Sequence, residues 1–218
     1  MRRAPTTTVA PSAAKRRADA APIPALAPGG LRELRAQQLR TALIETAQRL
    51  FVDHGFDAVS VDDIAAHAQA SRRTFFRYFG VKEDVLFAED DALLAAFLGG
   101  MRGADDTVSA LAAARASVRA VVATLEPRRE ELRVRQAILN TVPALQDRSF
   151  CKYARWEREA VGAFARGADD YDRILRVAVP GALLCLRIGY DLWLASGEDG
   201  VSLQQHVDAA HGDLARSV

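Results

Sequence analysis

The chain has 218 residues, half of them hydrophobic, and 29 basic against 28 acidic side chains give a formal net charge of +1. That length supports a sizeable core and two small domains. The two cysteines, Cys151 and Cys185, are too few for a disulfide scaffold and point to a reducing cytoplasm, and no apolar run reaches the roughly 18 residues of a membrane span.

The charge is unevenly spread, with eight Arg or Lys against two acids in residues 1–40. Residues 1–30 hold five of the eight prolines and the basic clusters Arg2-Arg3 and Lys15-Arg16-Arg17. With almost nothing to bury, this stretch is expected to be a disordered basic arm. An Arg-rich, acid-poor start also suits a transit peptide, but no amphipathic period accompanies it. Basic arms of this kind track phosphates or enter a minor groove. From Leu31 the pattern turns helical. Leu39, Leu43, Ala47, Leu50, Phe51 and His54 keep a three-and-four spacing, and Gly55 marks the stop. His54 reads as a half-buried helix-end residue rather than a ligand.

Residues 59–87, VSVDDIAAHAQASRRTFFRYFGVKEDVLF, hold two helix starts around a tight turn. Ser60 is placed to cap the first, Asp63 completes a capping box, and Val59 and Ile64 have hydrophobic-staple spacing. Ser71 caps the second, with Ala70 opposite Phe75. Only Gln69 and Ala70 remain for the turn, so the pattern predicts a helix-turn-helix. At about 100° per residue, Phe75 and Phe79 share one stripe and should pack on Ile64 and Ala65. Arg73, Thr74 and Arg77 then point the other way, with Arg72 and Phe76 on one flank and Tyr78 on the other. Guanidinium groups fork onto guanine edges or phosphates, Thr meets a thymine methyl or a phosphate, and Tyr bonds a phosphate oxygen. Lys82 follows at a helix start, where the dipole favours an anion, and Ser60 offers a hydroxyl and a helix amino end to a second phosphate. No acid lies between Ser71 and Lys82. That absence favours double-stranded DNA over a merely solvated face.

Lys82 to Leu98 reads as one connecting helix ending at Gly99-Gly100. Five more helices follow. The first is capped by Asp105 or Asp106 and runs to about Leu125; Pro127 starts one ending near Asn140; Pro143 starts one running to Arg166 before Gly167. Asp169 or Asp170 caps the next, which continues to about Ser196, and Ser202 caps the last. Pro180 falls inside the second-last of these, where it would kink the helix or be tolerated. With no strand pattern and no repeat, the fold class is all-α: an amino-terminal three-helix domain and a larger carboxy-terminal helical domain.

The stretches ALIETAQRLFVDHGFDAVSVDDIA and SRRTFFRYFGVKEDVLF, from Thr41 to about Phe87, resemble the DNA-binding domain of the tetracycline-repressor (TetR) family of bacterial regulators. The resemblance implies a helix-turn-helix domain over 31–80 and a ligand-binding and dimerisation domain over 81–218. It implies contacts to an inverted-repeat operator from Ser60, Ser71, Arg72, Arg73, Thr74, Phe76, Arg77, Tyr78 and Lys82. Three positions depart from the family pattern: Gln69 stands where Gly is usual in the turn, Phe76 where a Tyr is frequent, and Val81 where a Ser cap is common. The last leaves Glu83 and Asp84 to support the next helix start.

The family further implies a homodimer built from the last two long helices, here about 170–196 and 202–216, with Leu183, Leu186, Tyr190, Trp193 and Leu194 crowding the first and Gly181, Ala182 and Gly189 permitting close approach. It implies a small-molecule effector of unknown identity in a pocket with Phe97, Met101, Trp156, Phe164 and Leu184 as apolar lining and Arg119, Arg135, Tyr153 and Arg187 as polar anchors. The stretch RQAILNTVPALQDRSFCKYARWEREAV resembles, in part, a subgroup that senses acyl-coenzyme A or similar molecules. No cofactor and no metal site are implied. The expected protein is a cytoplasmic repressor, held at the nucleoid by its operator and released by its effector. An activator of the same family, or a helical carrier or enzyme without a DNA role, stays open. Against an enzyme, His67, His206 and His211 are dispersed and no nucleophile-and-base arrangement forms. A carrier leaves the acid-free basic helix unexplained.

Overall fold

The structure, a computed structural model, describes residues 28–103, 108–167, 169–197 and 200–217. The basic arm lies outside the described residues up to residue 27, and 28–30 already belong to the first helix. Nine α-helices and no strand occur among the described residues: α1 Pro28–His54, α2 Val61–His67, α3 Arg72–Tyr78, α4 Asp90–Arg102, α5 Ala110–Leu125, α6 Arg129–Thr141, α7 Pro143–Phe164, α8 Asp169–Ala195 and α9 Leu203–Arg216. This is the all-α fold that the spacing predicts. Short 3-10 turns occupy Lys82–Phe87 and Glu126–Arg128.

The boundaries follow local chemistry. Gly55 takes φ +86° after α1, Ser60 and Ser202 form capping boxes with Asp63 and Gln205, and Ser71 caps α3 through the Thr74 amide. His54 is exposed rather than half-buried. The expected caps of α5, Asp105 and Asp106, lie outside the described residues, and Ser109 accepts from the Ala112 amide there. The single helix expected over Lys82–Leu98 is two elements. Asp84 Oδ2 accepts from the amides of Gly80 and Val81 at 2.8 and 3.0 Å, fastening a 3-10 turn before α4 begins. Nor do Gly99 and Gly100 end α4, which runs through them. A Cβ on Gly100 would stand 2.5 Å from Ser117 Cα, so this glycine lets α4 and α5 touch backbone to backbone.

Two cores result. One gathers Leu43, Ala47, Leu50, Phe51, Phe56, Val59, Ile64, Phe75 and Phe79 around α1–α3 and continues through Val85–Phe87 to Ile138, Leu139 and Leu145 of α6 and α7. The other joins α4, α5, α7, α8 and α9 through Phe97, Met101, Trp156, Leu175 and Leu186. At 27 residues α8 is long and apolar enough to cross a bilayer by length and composition alone. Its buried side chains instead form the centre of the second core, and the helix runs through Pro180 without interruption. Leu183, Leu186, Tyr190, Trp193 and Leu194, expected at a dimer interface, are buried in this same core. Gly189 belongs to it as well, since a Cβ there would lie 2.8 Å from the Val207 backbone. The outward stripe of α8 is Ile174, Val177, Leu184, Ile188 and Leu192.

The turn between α2 and α3 closes with Ala70 N–H on Ala65 O at 2.8 Å and Gln69 N–H on Ala66 O at 3.1 Å. This pair of bonds needs a left-handed residue at Gln69, whose φ is +53°. A side chain there is strained, so Gln69→Gly should stabilise the fold by about 0.5–1 kcal/mol in urea unfolding; equal or lower stability would contradict that strain.

Candidate nucleic-acid interface

Helix α3 has seven residues, well short of the roughly 12–15 that hold a helix alone in water. Its existence rests on the Ser71 cap and on burial of Phe75 and Phe79, at 0% and 4% exposure, in the core that includes Ile64. Their rings lie 5.4 Å apart. Anchoring that stripe turns Arg72, Arg73, Phe76 and Arg77 out to solvent, with Thr74 and Tyr78 half-buried at the flanks.

The exposed groups are pre-arranged. Ser71 and Thr74 hydroxyls lie 2.8 Å apart, and Arg77 donates to Tyr78 Oη at 3.1 Å with its guanidinium 4.9 Å from the Tyr78 ring. Arg72 pairs with Asp62 of α2 at 2.7 Å and lies over Phe76 at 5.5 Å. The acid missing from α3 is therefore supplied by α2, though both side chains stay more than 60% exposed, where an ion pair is worth about 1 kcal/mol or less and exchanges readily for a phosphate. Arg73 has no ion pair among the described residues. Ser60 is exposed, and its hydroxyl and amide, bonded to Asp63, hold that carboxyl below its usual pKa.

Lys82 departs from the expected phosphate contact. Its ammonium donates to the carbonyls of Phe56 and Val59 at 2.8 and 2.9 Å and sits 4.4 Å from the Phe56 ring. The loop leaving α1 has carbonyls that no helix satisfies, and Lys82 supplies the donor. Two of its three N–H groups thus position the loop that leads to Ser60.

A second feature is a cavity of about 600 Å3 among α1, α4, α5, α6, α7 and α8. Of the expected lining, it brings together Arg135, Tyr153, Trp156 and Arg187. Phe97 and Met101 are core residues away from it, Phe164 packs at the edge of the core, Arg119 is exposed, and Leu184 lies on the outer stripe of α8. The α8 periodicity explains this last correction: Leu183 and Leu186 take the inward positions, leaving Leu184 outward. Sequence reasoning missed Lys152 and its partner Asp90, 3.6 Å apart, with the Lys152 side chain only 10% exposed. It also missed Tyr190 as a lining residue. The signal was a single lysine beside Tyr153 and four residues before Trp156, on the inward face of α7.

The profile of bacterial regulatory proteins of the tetR family matches residues 43–88. A protein named as the mycofactocin biosynthesis transcriptional regulator MftR of Mycobacterium tuberculosis is 31% identical over 169 residues, covering 76% of this chain and 84% of that protein. The HTH-type regulator TcmR of Streptomyces glaucescens is 36% identical over 72 residues, 33% of this chain and 32% of its own length. Among solved structures, a TetR-family regulator from Mesorhizobium loti superposes with a TM-score of 0.50 at 21% identity, covering 81% of this chain and 94% of that one. The protein of a SmeT–triclosan complex gives 0.51 at 17%, covering 81% and 91%. At those identities the structural likeness is one of fold.

Lys152 makes stability depend on pH. Burial, reinforced by Arg135 and opposed by Asp90, lowers its pKa from 10.5 to about 8. Between those values the unfolded chain keeps a proton that the folded chain has released, so the Lys152 contribution is flat below pH 8 and rises toward pH 10.5. In urea unfolding, wild type should gain on Lys152→Met by up to about 3 kcal/mol across that window; a pH-independent difference between the two would contradict the burial of a charged lysine.

Proposed function

Since the chain belongs to the TetR family of bacterial regulatory proteins, we propose that it represses transcription as a homodimer, holding two copies of α3 on an inverted-repeat operator until a small molecule fills the cavity. That it is a DNA-binding transcriptional regulator and not an enzyme follows from the family itself. The observation that carries the finer reading is the two-sided α3, with Phe75 and Phe79 locked inward and Arg72, Arg73 and Arg77 outward. Arg73 and Arg77 read base edges; Ser60, Ser71, Arg72, Thr74 and Tyr78 bind phosphates; Phe76 makes an apolar contact. Lys82 acts through the loop it holds. Residues 31–80 form the DNA-binding domain and 81–218 the effector and dimerisation domain.

One recognition helix reads only a few base pairs, so two copies about one helical turn apart are needed for useful specificity. The surface suited to pairing is the outer stripe of α8, where Val177 and Leu192 are 70% and 53% exposed and Ile174, Leu184 and Ile188 continue the row. With Gly181 between Val177 and Leu184, these positions keep a three-and-four spacing from 174 to 192, the pattern of a helix seam. An effector that favours one spacing of the two α3 helices shifts DNA affinity by as much as it prefers that state.

Two measurements test the reading. Fluorescence anisotropy with duplex from the upstream region of the gene should show Arg73→Ala binding about 1–3 kcal/mol more weakly, with relaxed preference at one base pair per half-site. Wild-type affinity in that variant would remove α3 from the interface. In sedimentation, the double substitution Val177→Asp with Leu192→Asp should convert a dimer to a monomer with helix content unchanged and DNA affinity reduced at least tenfold. A dimer that survives both aspartates places the interface elsewhere.

A further inference from the structure

The cavity wall carries cations and carboxylates alike, and Arg128 is already paired with Glu89 and Glu131. Trp156 Nε1 and Tyr190 Oη are buried side-chain atoms of lining residues, and among the described residues neither the N–H nor the O–H finds an acceptor, since the Arg135 guanidinium beside Tyr190 can only donate. Buried donors left unmade cost about 1–3 kcal/mol each, so their persistence at a cavity wall marks a place where something else supplies the acceptor. The Lys152 ammonium lines the same cavity. Its nearest carboxylate, Asp90 Oδ1, stands 3.6 Å away, beyond a full hydrogen bond, and its other neighbours are the ring faces of Tyr153 and Trp156 at 5.0 and 5.9 Å. Arg135, also at the wall, directs its Nε to the Leu86 carbonyl. The remaining wall includes Val121, Leu125, Leu132, Leu186 and Leu194.

Resting on the reading of this cavity as the effector site, we propose that its ligand is an organic anion with an apolar body, whose anionic head takes Lys152 from Asp90 while Trp156 and Tyr190 donate to the same head. The exchange is physically economical. A buried ammonium with one carboxylate at 3.6 Å is under-satisfied, an anion reaching hydrogen-bond distance improves on Asp90, and the helix dipole at the first turn of α4 still stabilises the carboxylate it displaces. A neutral ligand of the same shape leaves all three donors unanswered and gains only the apolar contacts. Asp90 is thus a competitor built into the site, setting how strong an anion must be to enter.

The test uses the full chain and two fluorescent probes that share a ring system, 1-anilinonaphthalene-8-sulfonate, an anion, and N-phenyl-1-naphthylamine, its neutral counterpart. Wild type should bind the sulfonate at least tenfold more tightly than the amine. Lys152→Met should raise the sulfonate Kd at least tenfold and leave the amine within twofold, with near-ultraviolet circular dichroism unchanged. Asp90→Asn, which removes the competitor, should tighten sulfonate binding severalfold and leave the amine unaffected. Equal affinity for the two probes, or a sulfonate Kd indifferent to both substitutions, overturns the anion assignment while the cavity stands as a binding site. Failure of both probes to bind wild type at all overturns the cavity as an effector site.

Discussion

Burial of Phe75 and Phe79 is the constraint on which the rest depends. A seven-residue helix has too few internal hydrogen bonds to persist alone, and its rotational setting is fixed by whichever side chains the core accepts. The core accepts these two aromatics and excludes Arg72, Arg73, Phe76 and Arg77, which therefore share the opposite surface. On the proposed reading, apolar packing and DNA recognition are the two sides of one helical period. The polar contacts around α3, from Arg72 to Asp62 and from Arg77 to Tyr78, tune side-chain directions on that surface without setting it.

The same core ties α3 to the cavity end. It does not stop at residue 80; Val85, Leu86 and Phe87 continue it to Ile138, Leu139 and Leu145. Polar groups follow the same route. Asp84 holds the amides just after α3 and pairs with Arg148 of α7 at 2.6 Å, while Arg148 and Arg135 lie over the Phe87 ring at 4.5 and 5.5 Å. One turn along α7 stands Lys152, in the cavity wall, facing Asp90 at the start of α4. Arg128 joins Glu89 to Glu131 beside them. The segment Asp84–Asp91 is thus gripped from the cavity side by α6 and α7 and carries α3 on its other end, a continuous physical connection between the two sites.

Much of this was legible in the chain. Ser60, Asp63, Ser71 and Ser202 announce helix starts because capping is local chemistry, and the Phe75–Phe79 spacing predicts the inward stripe of α3 because a single helix has only one period. The left-handed strain at Gln69 was legible too, as a side chain at a position suited to glycine. What escaped were features made by elements distant in sequence. Lys82 reads as a phosphate ligand until the Phe56 and Val59 carbonyls fold against it. Gly100 reads as a helix end until Ser117 of α5 is seen against its backbone. On α8, an apolar helix gives no sign of which face meets its own chain, so a dimer seam cannot be told from the core that Leu183, Leu186 and Tyr190 fill, and Leu184 reads as pocket lining although it lies outward. Lys152 and Asp90 are separated by 62 residues, and no local pattern links them.

On the proposed reading, two basic, aromatic-anchored helices are presented together to one duplex. Selection of bound sequences from a random duplex pool by the full chain tests it most directly. The expected result is enrichment of an inverted repeat whose half-site centres lie about 34–36 Å apart, one helical turn. Enrichment of a single unpaired motif, or of no motif, would contradict it.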